Sequence, residues 1–108
     1  MPSAVEVTPA RWTAIQVLFD NGSYSVISGL FDGGGKLKQR SLGERWNGDG
    51  DSLGFPSQGV NPTWYVVPPF LAIPVLHGLL DELSNEHVSK EYRDAIFSEL
   101  RRQISYFR

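Results

Sequence analysis

The chain has 108 residues, of which 41% are hydrophobic and 20% charged, with a formal net charge of −2 and no cysteine. This length and composition are typical of a single folded globular domain, so we treat residues 1–108 as one domain. The small negative charge disfavours a dedicated nucleic-acid binder, and the lack of cysteine excludes disulfides, thiol catalysis and cysteine-based zinc sites.

The N-terminal third of the sequence predicts an arm followed by a β-hairpin. Residues 1–11 show no clear periodicity and contain two prolines, so we expect a loose arm or an edge segment. Two β-rich stretches follow, at 12–19 and 24–31, with Asn21-Gly22 between them. Asn-Gly favours a two-residue type I′ turn, because both central residues of that turn have positive φ.

The register set by this turn assigns each side chain of the hairpin to a face. Phe19 then pairs with Tyr24, and Thr13 with Leu30. One face is the core candidate, with the side chains of Ile15, Val17, Phe19, Tyr24, Val26 and Leu30. The other face should be polar if it is open to water. Instead it carries four large apolar side chains, Trp12, Leu18, Ile27 and Phe31.

This second apolar face needs a cover. We expect both helices to pack on one face of the sheet, which leaves the other face open. Within one chain, this face could be covered by one of the two helices, by the N-terminal arm or by the long loop. A second copy of the chain could also cover it. We predict a homodimer that buries Trp12, Leu18, Ile27 and Phe31.

The middle of the chain predicts two further strands that flank a long loop. Asp32-Gly33-Gly34-Gly35 is typical of a turn, and a third strand is expected at 37–46. Residues 47–62 are rich in Gly, Asp, Ser, Asn and Pro and predict a long loop, a feature that is often functional or mobile. A short aromatic fourth strand is expected at 63–67.

Two amphipathic helices complete the prediction. The first begins as regular helix at Ile73, after an irregular turn at 69–72, and ends near Ser84. The second runs from Ser89, a plausible N-cap, to about Tyr106. The expected fold is therefore α+β, with a four-stranded antiparallel sheet followed by two C-terminal helices.

No segment predicts a membrane protein. The apolar stretch from Trp64 to Leu76 is interrupted by prolines and is shorter than the roughly 20 residues that a spanning helix needs. Residues 1–7 lack the basic and apolar regions of a secretory signal, so we expect a cytoplasmic protein.

Aromatic residues and an arginine cluster around the long loop. Trp, Tyr and Arg are favoured anchors of binding sites, so this segment is the candidate site for a protein or small-molecule partner. Its predicted contact residues are Arg45, Trp46, Phe55, Trp64 and Tyr65. In the alternative interpretation, Trp46 and Trp64 are core residues, and Glu44 forms a rim pair with Arg45.

The remaining motifs are weak. Asn47-Gly48-Asp49-Gly50-Asp51-Ser52 lacks the glycine and glutamate positions of a calcium loop, and Gly33-Gly34-Gly35 precedes a strand rather than the helix of a phosphate loop. Lys36, Lys38 and Arg40 alternate along the third strand, which is typical of a protected sheet edge. We predict no metal site and no cofactor.

His77 and Asp81 lie one helical turn apart and are the basis of an enzymatic alternative. A histidine hydrogen-bonded to its neighbour at the border of the core is the simpler explanation of this pair. The sequence therefore predicts a small non-catalytic binding or interaction module. The alternative is a hydrolase or isomerase-like enzyme in which His77 and Asp81 share a cleft with Glu44 and Arg45.

Overall fold

The structure, a computed structural model, describes residues 2–34, 38–85 and 90–106. Its strands are β1 Trp12–Asp20, β2 Tyr24–Phe31, β3 Gln39–Trp46, β4 Ser57–Gln58, β5 Asn61–Pro62 and β6 Tyr65–Val66, and its helices are α1 Ala72–Asn85 and α2 Lys90–Tyr106. Two 3-10 turns lie at Ala4–Glu6 and Pro69–Leu71. The main sheet is antiparallel with strand order β1-β2-β3-β6, which confirms the predicted α+β architecture. The expected helix N-cap, Ser89, lies outside the described residues.

The predicted long loop contains a small sheet of its own. Strands β4 and β5 pair as an antiparallel hairpin within it. An isolated bridge between Trp46 and Phe55 ties the middle of the loop back to the end of β3. The segment between β3 and β6, which was predicted as a long loop, therefore contains secondary structure.

The β1–β2 hairpin is confirmed, but the type I′ turn predicted for it is wrong. Phe19 pairs with Val26, whereas the sequence predicted Tyr24 as its partner. The Asn21 side-chain oxygen accepts hydrogen bonds from the backbone N–H groups of Ser23 and Tyr24, both at 2.9 Å. Gly22 alone has the positive φ that a type I′ turn requires of both central residues, at 91°. The asparagine side chain thus stabilises a wider turn.

Two irregularities in β1 change which face its side chains occupy. They lie between Thr13 and Gln16 and between Val17 and Phe19. A β-bulge adds a residue to one strand and so reverses the alternation beyond it. The predicted Thr13–Leu30 pair is therefore present, while Ile15 and Val17 lie on the second face of the sheet, not on the helix-covered face expected for them.

Both helices pack on one face of the sheet. The core there joins apolar side chains of β1, β2 and β3 to those of α1 and α2, and its fully buried members include Leu18, Val26, Leu42, Leu76, Leu83 and Ile96. Prolines in and beside the 3-10 turn start α1 without disturbing its later turns, since proline is tolerated in the first turn of a helix. Within the described residues, neither helix is long and apolar enough to cross a membrane.

The N-terminal arm covers the second face. Ala4 and Val7 are buried there against Trp12, Ile27 and Trp64. The Trp64 indole nitrogen donates a hydrogen bond to the Val7 carbonyl oxygen at 2.9 Å. The segment expected to be a loose arm is therefore part of a second core.

This cover corrects the prediction of an exposed apolar face. Trp12, Leu18 and Ile27 are buried within the single chain, and Phe31 is half-buried. Leu18 lies in the helix-covered core because of the second bulge, and Phe31 packs at 5.1 Å between ring centroids against Trp12. These four side chains do not form the free surface on which the predicted homodimer rested.

Candidate functional site

Strand pairing gathers four aromatic side chains around one carboxylate. Tyr24 pairs with Trp46 across β2 and β3, and Tyr65 pairs with Glu44 across β6 and β3. Phe55 forms a bridge with Trp46. Directly opposed residues of antiparallel strands project from the same face, as do residues two apart on one strand. We call this set the aromatic platform, and its members are Tyr24, Glu44, Trp46, Phe55 and Tyr65.

The platform is the uncovered end of the face on which the helices pack. The helices cover Leu42 and Val67 on that face, and Tyr24 of the platform packs against the edge of this core. Its outer aromatic side chains are well exposed, with Trp46 at 58%, Phe55 at 66% and Tyr65 at 52% of their accessible surface. A contiguous exposed apolar patch of this kind is typical of a binding surface.

Contacts beneath the platform fix its geometry. Tyr24 and Trp46 meet edge to face, with 4.6 Å between ring centroids. The Tyr24 hydroxyl donates a hydrogen bond to the Glu44 carboxylate, and burial together with this carboxylate raises the pKa of Tyr24. Phe55 is held by two backbone hydrogen bonds with Trp46, at 2.8 and 3.0 Å. The Tyr24 and Trp46 rings are therefore positioned before any ligand arrives, and backbone pairing places Phe55 and Tyr65 beside them.

Arg45 lies on the opposite face and supports the loop from below. Its side chain is 1% exposed. One terminal nitrogen donates to the Thr63 carbonyl at 2.8 Å and to the Pro56 carbonyl at 3.3 Å, and the other donates to the Leu53 carbonyl. Burial lowers the pKa of this guanidinium, which stacks at 6.0 Å from the centroid of the Trp64 ring.

The loop is also fastened at its first residue. Asn47 is buried, and its backbone N–H donates to the Ser23 carbonyl at 2.8 Å. Its side-chain nitrogen donates to Asp20 at 3.1 Å, and its side-chain oxygen accepts from the Ser25 hydroxyl at 2.8 Å. The chain between Trp46 and Phe55 therefore leaves the sheet along a fixed path.

The structure brings together three of the five predicted contact residues, namely Trp46, Phe55 and Tyr65. Arg45 and Trp64 do not join them, because each immediately precedes a platform residue in the chain and is buried on the opposite face, where the Arg45 guanidinium lies over the Trp64 ring. Tyr24 and Glu44 were missing from the predicted set. Side-chain alternation along 44–46 and 64–65 is the signal that separates the two groups.

The residues of the enzymatic alternative lie on both faces of the sheet. His77 and Asp81 are exposed on α1, which packs on the platform side of the sheet. Arg45 is buried on the other side, and its neighbour Glu44 faces the platform. Among the residues that the structure describes, no group of three or more histidines and acidic residues is placed to hold a metal ion.

Comparisons of this chain with protein-family models, with curated proteins and with solved structures found no match.

Proposed function

We propose that the protein is a small non-catalytic binding module, and that its aromatic platform takes an extended basic segment of a protein partner. The observation that supports this most is the set of three exposed aromatic side chains that strand pairing places around a carboxylate. Aromatic anchors of this kind dominate the energetics of protein interfaces, and their preorganisation lowers the entropic cost of binding.

Charge selects a basic ligand over an acidic one. Glu44 lies at the centre of the platform, and the loop that joins Trp46 to Phe55 carries exposed Asp49 and Asp51. The cationic side chain next to Glu44, that of Arg45, is buried on the far face. A Lys or Arg of the partner would meet the Glu44 carboxylate and the faces of the aromatic rings, both of which attract a cation.

Peptide selection tests this proposal directly. Short random peptides displayed against the immobilised protein should be enriched in Lys or Arg beside proline or aliphatic residues. An enriched peptide, titrated by calorimetry, should bind the Trp46→Ala and Tyr65→Ala variants roughly tenfold or more weakly, because truncation of an interface anchor typically costs about 2 kcal/mol. Glu44→Gln should weaken the basic peptide but not its analogue with norleucine in place of the cation.

Phe70→Ala is the matched control. Phe70 is an aromatic side chain exposed to 78% in the 3-10 turn before α1, outside the platform. Its loss should leave peptide affinity unchanged. Enrichment of acidic peptides, or equal affinity for wild type and Trp46→Ala, would contradict the proposal.

The predicted homodimer gives an alternative proposal, in which a second copy of the chain binds the platform. The four side chains first expected at a dimer interface are largely internal, whereas the platform offers exposed aromatic surface. Sedimentation of the wild type and of Trp46→Ala at equal concentration separates the two occupants. A dimer that the substitution converts to a monomer would identify a second copy of the chain as the ligand, and would replace the basic segment in the proposal.

A further inference from the structure

A cavity lies between β3 and the C-terminal half of α2, and its lining residue Leu42 is two positions along β3 from Glu44 of the platform. Its volume is about 880 Å3, which is within the range of small-molecule sites. One wall is apolar and the other is basic. The side chains that define these walls are exposed Pro69 and the nearly buried Leu42, Val67 and Ala72 on the apolar side, and Arg40, Arg101 and Arg102 on the basic side. No platform residue lines it.

The basic wall is organised by a buried carboxylate. Glu99 is fully buried and accepts a hydrogen bond from an Arg40 terminal nitrogen at 2.6 Å and from an Arg102 terminal nitrogen at 3.4 Å. Arg40 also donates through Nε to both Glu99 oxygens, at 3.0 and 3.2 Å. These contacts fix two guanidinium groups at the cavity before a ligand binds.

The wall keeps an excess of positive charge. Three arginines line the cavity, and Glu99 supplies the one carboxylate that contacts them in the described part of the chain. Arg101 donates to the neutral hydroxyl of Ser98 at 3.3 Å, so its charge has no acidic partner there. Three positive charges against one negative charge leave two to attract an anion.

We propose that this cavity binds a small organic anion, in which a carboxylate or phosphate head group meets the arginines and a short aliphatic chain lies against Pro69 and the floor formed by Leu42, Val67 and Ala72. Guanidinium groups match the geometry of both anions, so the head-group chemistry is shared. The concave shape and the net charge of −2 for the whole chain favour a small molecule over a nucleic acid.

Four probes test the proposal. Octanoate, octyl phosphate and octylamine each carry an eight-carbon chain, and inorganic phosphate carries none. In NMR titrations, octanoate or octyl phosphate should shift the signals of Leu42, Val67 and the buried side-chain amide of Gln103. Whichever of these two anions binds more tightly identifies the preferred head group. Octylamine and inorganic phosphate should bind at least tenfold more weakly, because each lacks one of the two complementary parts.

Arg101→Gln is the informative variant, since Arg101 is exposed and its loss spares the Arg40–Glu99 pair. It should weaken the better anion roughly tenfold, the usual effect of losing a charge-assisted hydrogen bond, and leave the melting temperature unchanged. Arg93→Gln, an exposed position on the same helix outside the cavity, should bind like wild type.

Three results would overturn the proposal. One is the failure of both anionic amphiphiles to shift the lining residues at millimolar concentration. Another is an affinity for octylamine or inorganic phosphate that equals theirs. The third is tighter, Arg101-dependent binding of a single-stranded oligonucleotide, which would assign the basic wall to nucleic acid.

Discussion

At the scale of single residues, the Arg45 guanidinium lies directly beside Gly54, where only a glycine leaves enough space. Arg45 is a buried arginine whose hydrogen-bond acceptors, within the described residues, are backbone carbonyls rather than a carboxylate. Gly54 has a φ of 74°, and an added Cβ would overlap with the Trp46 carbonyl oxygen and the Arg45 guanidinium. An arginine fork that gathers three carbonyls explains how a glycine-rich segment follows a fixed path.

Replacement of Arg45 therefore should release the loop. We expect Arg45→Met to lower the free energy of unfolding by about 2–3 kcal/mol, because the Leu53, Pro56 and Thr63 carbonyls lose their donor. Urea unfolding measures this change. Arg93→Met, at an exposed position, should stay within about 0.5 kcal/mol of wild type.

Arg45→Lys separates charge from geometry. An ammonium keeps the positive charge but lacks the planar fork that reaches separate carbonyls. We expect it to restore little of the stability lost in Arg45→Met. Full stability in Arg45→Lys would show that burial of a positive charge, and not the donor fork, holds the loop.

At the scale of elements, strong local signals were predictive and side-chain register was not. The proline-rich start and the apolar period placed α1 at Ile73 to Ser84, within one residue of Ala72–Asn85 at each end. The hairpin was predicted as an element, but its pairing near the turn depends on the side-chain contacts of Asn21 and on two bulges that leave no composition signal. Arg45 was misplaced for another reason, because the predicted contact set joined it to Trp46 although neighbouring residues of a strand project from opposite faces.

The first bulge of β1 contains a strained residue. Ala14 has a φ of 53°, in the left-handed region that costs a non-glycine residue about 1–2 kcal/mol. We expect Ala14→Gly to raise the free energy of unfolding by up to about 1 kcal/mol, because glycine adopts this conformation without strain. The effect is measurable by urea unfolding.

Gln16→Gly provides the comparison on the same strand. Gln16 is exposed like Ala14 but has no positive φ, so glycine there should cost about 0.5–1 kcal/mol through chain entropy. Opposite signs for the two substitutions are expected. A similar loss of stability in both would mean that Ala14 is unstrained.

At the scale of the whole molecule, the sheet has a core on each face although both helices lie on one side. The sequence showed that the second face needs a cover, since it placed Trp12 and Ile27 there together. It did not show which segment provides the cover, because the arm has no periodic pattern and, among its described residues 2–11, buries only Ala4 and Val7. Docking of the arm depends on the Trp64 indole meeting the Val7 carbonyl, a contact between residues 57 positions apart.

Two valines on the arm test this second core. Val7 is 1% exposed and Val5 is 73% exposed, so the same substitution probes a buried and a free site two residues apart. Val7→Asp should lower the free energy of unfolding by about 2–4 kcal/mol, because it buries a charge without a partner or detaches the arm. Val5→Asp should be nearly neutral.

Detachment of the arm should also cause self-association, which an unfolding measurement does not detect. Once the arm leaves, Trp12, Ile27 and Trp64 face water, and an apolar surface of that kind promotes association. In sedimentation velocity at equal concentration, Val7→Asp should therefore show a higher mean mass than both wild type and Val5→Asp. If Val7→Asp matches wild type in both mass and stability, the arm does not shield the sheet, and the second face must be protected in another way.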